Sequence, residues 1–158
     1  MTNKVKEYRK TAEPIASSYH SDKIWQLAGF PASGGLTLIQ ELQRGLSVDV
    51  INRLNNGLNL SKKYVLEITG INERNLARRK KTDDQRLNPE ESERVARLVR
   101  VMDIAIDLFD GDKDAAIDWL NTPAIALGNR SPVELLATET GALEVSNLIG
   151  RLEHGVFS

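Results

Sequence analysis

The chain of 158 residues can bury a core as one compact unit or two small helical ones, and 41% hydrophobic with 27% charged residues is an ordinary globular balance. No run nears the roughly 18 apolar residues that span a bilayer. The basic start MTNKVKEYRK has no apolar stretch of a secretory signal behind it, and with no cysteine there is no disulfide or thiolate metal site, so a cytoplasmic protein is expected.

The net charge of −1 hides a division at residue 88. Residues 1–88 carry 15 Lys+Arg against 9 Asp+Glu, and residues 89–158 carry 6 against 13. A basic half suits a polyanion and an acidic half is repelled by one, so the chain reads as having two jobs, with nucleic acid touching only the first.

In chain order, residues 1–20 show no sustained apolar period and read as loosely held. Ile24, Trp25 and Leu27 suggest a short amphipathic turn, followed by a breaker at residues 29–35 (GFPASGG). Leu36, Ile39 and Leu42 then open a helix that stops near Gly45. Ser47 can cap the next helix, with Val48, Ile51 and Leu54 on one face, which Asn56 and Gly57 are expected to end.

Residues 61–81 have the spacing of a helix-turn-helix. Ser61 caps a helix over 62–69, Gly70 supplies a left-handed turn, and Asn72 caps a second helix from Glu73 to about Lys81. Val65, Leu66, Ile71 and Leu76 are placed to form the small core between the two helices. The second helix then shows Asn72, Glu73, Arg74, Asn75, Arg78 and Arg79 outward, with Lys80 and Lys81 extending a positive patch. Arg can bond guanine bidentately, Asn can bond adenine, and cations such as Lys62 and Lys63 can hold phosphates. The candidate DNA-binding set is therefore Lys62, Lys63, Asn72, Arg74, Asn75, Arg78, Arg79 and Lys80. Leu66 stands where the motif commonly has Ala, and Thr69 and Arg79 where it often has apolar residues. One such motif makes few contacts, so a dimer or larger assembly on paired half-sites is expected.

The acidic half starts with Asn88, Pro89 and Glu91, a cap, a first-turn proline and an acid spaced as a capping box. A long helix follows, closed by Asp110 and Gly111. Val95, Leu98, Val99, Met102, Ala105, Ile106 and Phe109 form one stripe; Val101, Ile104 and Leu108 form a second, so this helix is either the centre of the domain or buried against another chain. Asp112 caps a helix over 113–120, and Ser131, Pro132 and Glu134 open another to about Ala137. Between them runs a loop ending on the isolated base Arg130. The last helix carries Val145, Leu148, Ile149 and Leu152 on one face. The tail ends on Val156 and Phe157, an apolar pair that either folds back or fills a partner's pocket.

Several separated blocks now carry a resemblance. Residues 87–94 (LNPEESER), 119–123 (WLNTP), 126–132 (ALGNRSP), 135–136 (LL) and 150–157 (GRLEHGVF) closely resemble the MbcA/ParS/Xre antitoxin family, over roughly residues 36–158. The resemblance implies an all-α protein, with a Cro-repressor-like helix-turn-helix region followed by a small helical toxin-binding domain. It divides the chain into an extension over 1–35, a DNA-binding and dimerisation region over 36–86, and a toxin-binding domain with its tail over 87–158. It also implies a toxin of the RES class, an NAD-consuming enzyme related to ADP-ribosyltransferases, whose active site the antitoxin covers while repressing the shared operon. Toxin contact would fall on Arg151, Glu153, His154, Val156 and Phe157, with the loop over 127–132, which holds Arg130, as a second patch.

Catalysis has little to stand on. His20 and His154 have no partner base, nucleophile or metal ligand at a telling spacing, and capping explains the acids of residues 110–114 better than a calcium loop does. Neither Ser17 and Ser18 nor the Gly34 and Gly35 pair makes a site on its own. No catalytic residue, metal or cofactor is expected. The competing reading is a stand-alone helix-turn-helix regulator whose acidic half only oligomerises.

Overall fold

The computed structural model describes residues 23–155. Among them the secondary structure is helical: α1 (Lys23–Leu27), α2 (Gly35–Arg44), α3 (Val50–Leu58), α4 (Lys62–Thr69), α5 (Glu73–Lys80), α6 (Pro89–Leu108), α7 (Lys113–Leu120), α8 (Pro132–Leu135) and α9 (Glu139–Glu153), with a 3-10 turn at Ile125–Leu127. Extended pairing among the described residues is confined to two isolated bridges, Ser47 with Arg86 and Ala124 with Arg130. No described helix is long and apolar enough to cross a membrane.

The twenty-residue α6 is the centre. Its capping box forms as its sequence dictates: Asn88 Oδ1 accepts the Glu91 N–H at 2.8 Å and the Glu91 carboxylate accepts the Asn88 N–H at 3.0 Å. Helices α1, α2, α4, α7 and α9 all pack on it. Both apolar stripes of α6 are thereby covered by this chain itself: Val95, Val99 and Ala105 are fully buried, Val101 is 1% exposed, and Ile104 and Leu108 lean on the same core. Of the two places open to this helix, the centre of the domain is the one it takes.

The two halves share that core. Trp25 and Phe30 of the N-terminal segment meet edge to face and lie in it, and Trp25 Nε1 donates to Asp103 of α6 at 3.3 Å. Lys113 Nζ donates to the Gly57 carbonyl at 3.1 Å, and the Tyr64 hydroxyl reaches Asn121 at 3.2 Å, tying α7 to α3 and α4. Burial pushes the pKa of the Tyr64 phenol above its ordinary value.

Three helix ends depart from expectation: α3 starts at Val50 with Asp49, not Ser47, as its N-cap, because Ser47 is drawn into a bridge with Arg86; α8 stops at Leu135, short of Ala137; and the other end of α3 runs on. α3 runs through Asn56 and Gly57 to Leu58, and Asn59 takes the left-handed conformation at φ 54°. A Cβ on Gly57 would stand 3.2 Å from Leu27 Cβ, so that glycine admits α1 rather than ending a helix. Leu58, 1% exposed, draws the last turn into the core. Residues 1–22 and 156–158 lie outside the described residues, and with them the expectations for the N-terminal start, Ser17, Ser18, His20, Val156 and Phe157.

Candidate DNA-reading and partner-binding sites

The helix-turn-helix assembles from local signals. Ser61 Oγ accepts the Tyr64 N–H at 3.1 Å to start α4, and Asn72 Oδ1 accepts the Asn75 N–H at 3.2 Å to start α5. Between them Gly70 sits at φ 66°, a conformation that an L side chain resists. Val65 and Leu76 are fully buried and Ile71 is nearly so, which packs the turn and one point of α5 against α4. Thr69, polar where an apolar residue is usual, is 1% exposed with its hydroxyl donating to the Val65 carbonyl at 2.7 Å. Its burial leaves no unsatisfied group.

Arg74 and Arg78 stand exposed on the outer face of α5, with Asn75 half-buried beside them; Arg78 Nη2 donates to Asn75 Oδ1 at 3.4 Å. Lys80 and Lys81 are exposed at its end. Asn72 is engaged as the cap. A groove of about 510 Å³ runs beside this face, lined by Lys62, Lys63, Leu66, Glu67, Ile71 and Glu73. Within it Lys62 lies 3.5 Å from Glu73, and Lys63 lies 4.0 Å from Glu67. These exposed pairs are weak and leave both lysines available to a stronger anion.

Arg79 requires a correction. The sequence places it outward with Arg78, but it turns back to α6, where Nη1 donates to Glu91 Oε2. The physical reason is helical phase: Arg79 is three residues beyond the buried Leu76 and shares its inward face. A cation on that face needs a counter-charge, and Glu91, 6% exposed, supplies it.

The acidic half presents a second candidate surface. Along α9, Ser146, Asn147, Gly150, Arg151 and His154 line a groove of about 420 Å³. Arg151 is half-buried, and Glu153 and His154 are exposed at the helix end. The 3-10 turn packs against α9, and after it Gly128 and Asn129 take left-handed conformations and leave Arg130 exposed. The side chains of Arg130, Arg151, Glu153 and His154 make no hydrogen bond or ion pair among the described residues. Sequence reasoning did not single out Ile125, 88% exposed, or Leu143, 57% exposed. The signal for Leu143 was present, since it falls on the opposite side of α9 from Val145 and Ile149. Among the described residues no group of acids and histidines is placed to hold a metal ion.

Comparison with known proteins matches both halves. The antitoxin Xre-like helix-turn-helix domain matches residues 37–100, and the antitoxin Xre/MbcA/ParS C-terminal toxin-binding domain matches residues 105–155. An antitoxin Xre from Yersinia enterocolitica is 56% identical over 135 residues, 85% of this chain and 90% of that protein. The chain belongs to the Xre antitoxin family. An antitoxin Xre from Photorhabdus laumondii is 44% identical over 138 residues, covering 87% of this chain and 93% of that one. More distantly, a protein of Sphingobium named Prs ADP-ribosylating antitoxin is 25% identical over 125 residues, 74% of this chain and 78% of its own. The Xre-like domain contains α2 from its third residue, α3 to α5 and most of α6, and the toxin-binding domain contains the end of α6 and all that follows to Gly155. As a family member the chain is an antitoxin of a toxin–antitoxin system with a helix-turn-helix.

Proposed function

We propose that this antitoxin neutralises a RES-type, NAD-consuming toxin by covering its active site, and represses its own operon through α4 and α5. The carrying observation is that Arg130, Arg151, Glu153 and His154, on an acidic toxin-binding domain, have side chains with no hydrogen-bond or ion-pair partner among the described residues. A cleft that handles an anionic dinucleotide is basic, so an acidic domain is steered toward it, and polar groups that have no bonding partner among the described residues can pair there. The Sphingobium relative's name joins an antitoxin to ADP-ribosylation, a chemistry that consumes NAD, which supports the RES class. Inhibition by occlusion asks no chemistry of this chain, so the protein acts as a binder and not as an enzyme. On DNA, α5 presents Arg74, Asn75 and Arg78 to base edges, with Lys62, Lys63, Lys80 and Lys81 holding phosphates. The short reading helix needs a second copy on a paired half-site, so the working form is a homodimer or a larger assembly with toxin, in the cytoplasm where both partners lie.

The test is co-expression of the chain with the product of the reading frame next to its gene. Co-purification, growth rescue and loss of that product's NAD consumption are expected, together with a shifted band for a duplex from upstream of the gene. A neighbour that is neither bound nor inhibited, with DNA binding intact, would favour the stand-alone regulator instead.

A further inference from the structure

The recognition helix is poorly anchored by apolar contact. α5 has eight residues, Leu76 is its one buried side chain, and among the described residues no other helix packs broadly against it. A helix held at one apolar point can still pivot about it. Its second anchor is Arg79, one turn further along the same face, paired with Glu91.

Glu91 is suited to that duty because it is fixed from two sides. Its Oε2 accepts both the Arg79 guanidinium and the Asn88 N–H, while its own N–H donates to Asn88 Oδ1. With side-chain exposures of 21% for Arg79 and 8% for Glu91, the pair is shielded from salt far better than the lysine pairs on the outer face. Neighbouring residues of α6 hold the end of α4 and the segment between α2 and α3. Arg94 Nη1 donates to the Thr69 carbonyl at the end of α4 at 3.1 Å, and Ser92 Oγ accepts the Leu46 N–H at 2.9 Å.

We propose that Glu91 is a positioning residue for operator reading. By pairing with Arg79 it fixes the C-terminal end of α5 on α6 and withdraws one cation from the DNA-facing surface. Sequence-dependent contacts through Arg74, Asn75 and Arg78 then outweigh indiscriminate phosphate binding. This rests on the reading of α5 as the DNA-reading helix.

Glu91→Gln isolates the charge, because the Gln amide oxygen still accepts the Asn88 N–H and the capping box survives. The probes are a duplex from upstream of the chain's own gene and a random duplex of equal length. In Glu91→Gln the preference for the upstream duplex is expected to fall by about tenfold, and the salt slope on random DNA to steepen by about 0.9 as Arg79 gains a phosphate. A merely structural loss would not steepen that slope. Adding Arg79→Leu, which puts an apolar side chain on the inward face, should restore preference to within about threefold and return the slope to its original value. Unchanged preference and slope in Glu91→Gln, or a double variant no better than the single one, would overturn the proposal. Amide exchange over residues 76–81 reads the clasp with no DNA present: faster exchange in Glu91→Gln is expected, and unchanged protection also overturns it. If the unaltered protein shows no preference for the upstream duplex, the DNA-reading assignment fails, and the exchange result decides the clasp by itself.

Discussion

On the helix-turn-helix, Asn72, Asn75, Arg78 and Arg79 each bond within the chain and Lys62 and Lys63 face Glu73 and Glu67, whereas Arg130, Arg151, Glu153 and His154 of the other half have no such partners among the described residues. The difference is one of degree in preorganisation, since Arg74, Lys80 and Lys81 of the first surface also have no such partner among the described residues. A surface that must recognise a regular duplex gains from side chains already fixed, because less freedom is lost on binding. A surface that meets one protein partner can leave its side chains to be ordered by that partner, at an entropic cost that the new contacts offset.

The largest effect should come from removing residues 153–158: neutralisation of the toxin is lost in a growth assay while operator binding in a gel shift stays unchanged. Retained protection would place the decisive contacts elsewhere on the acidic half. Next, Leu76→Ala empties a fully buried site and should cost about 2–5 kcal/mol by denaturant unfolding. Operator binding should fall further than stability alone requires, and normal DNA affinity in the folded variant would break the idea of a preset reading helix. Smaller still, Arg74→Ala and Arg78→Ala should each cost about 1–3 kcal/mol of operator affinity, with thermal stability unchanged. Binding that is insensitive to salt in any of these proteins would count against the groove assignment. The smallest effect concerns Gly150, inside α9, where an added Cβ meets none of the described residues within 4 Å. Gly150→Ala should stabilise the free protein by about 0.4–1 kcal/mol in thermal unfolding. If it weakens toxin capture at the same time, a partner approaches that groove closely; if capture is unchanged, the contacts lie at the helix end alone.

Features set by a few adjacent residues were legible in the sequence. The caps at Ser61, Asn72, Asn88 and Asp112 and the left-handed Gly70 depend on local geometry, and they form as their spacing implies. Features set by distant partners were not. Nothing near Arg79 announces Glu91 twelve residues on, nor does Trp25 announce Asp103, 78 residues away. The end of α3 was misjudged for the same reason, since the local breaker at Asn56 and Gly57 yields to the burial of Leu58 and the approach of Leu27. The second stripe of α6 left two answers open, and only the docking of its neighbouring helices chooses between them. The outer surface of α9 was legible in phase, but Ile125 lies on an irregular loop where periodicity carries no information.

The match to the helix-turn-helix domain ends at residue 100 and the match to the toxin-binding domain starts at residue 105, yet α6 passes through the junction unbroken. A helix transmits angle as well as position, since each residue turns the chain by about 100°. One residue inserted or deleted at the junction would rotate Met102, Ala105 and Ile106 out of register with α7 and α9, while the helix-turn-helix stayed where it was. Any exchange of one half for another must therefore keep the phase of this one shared shaft.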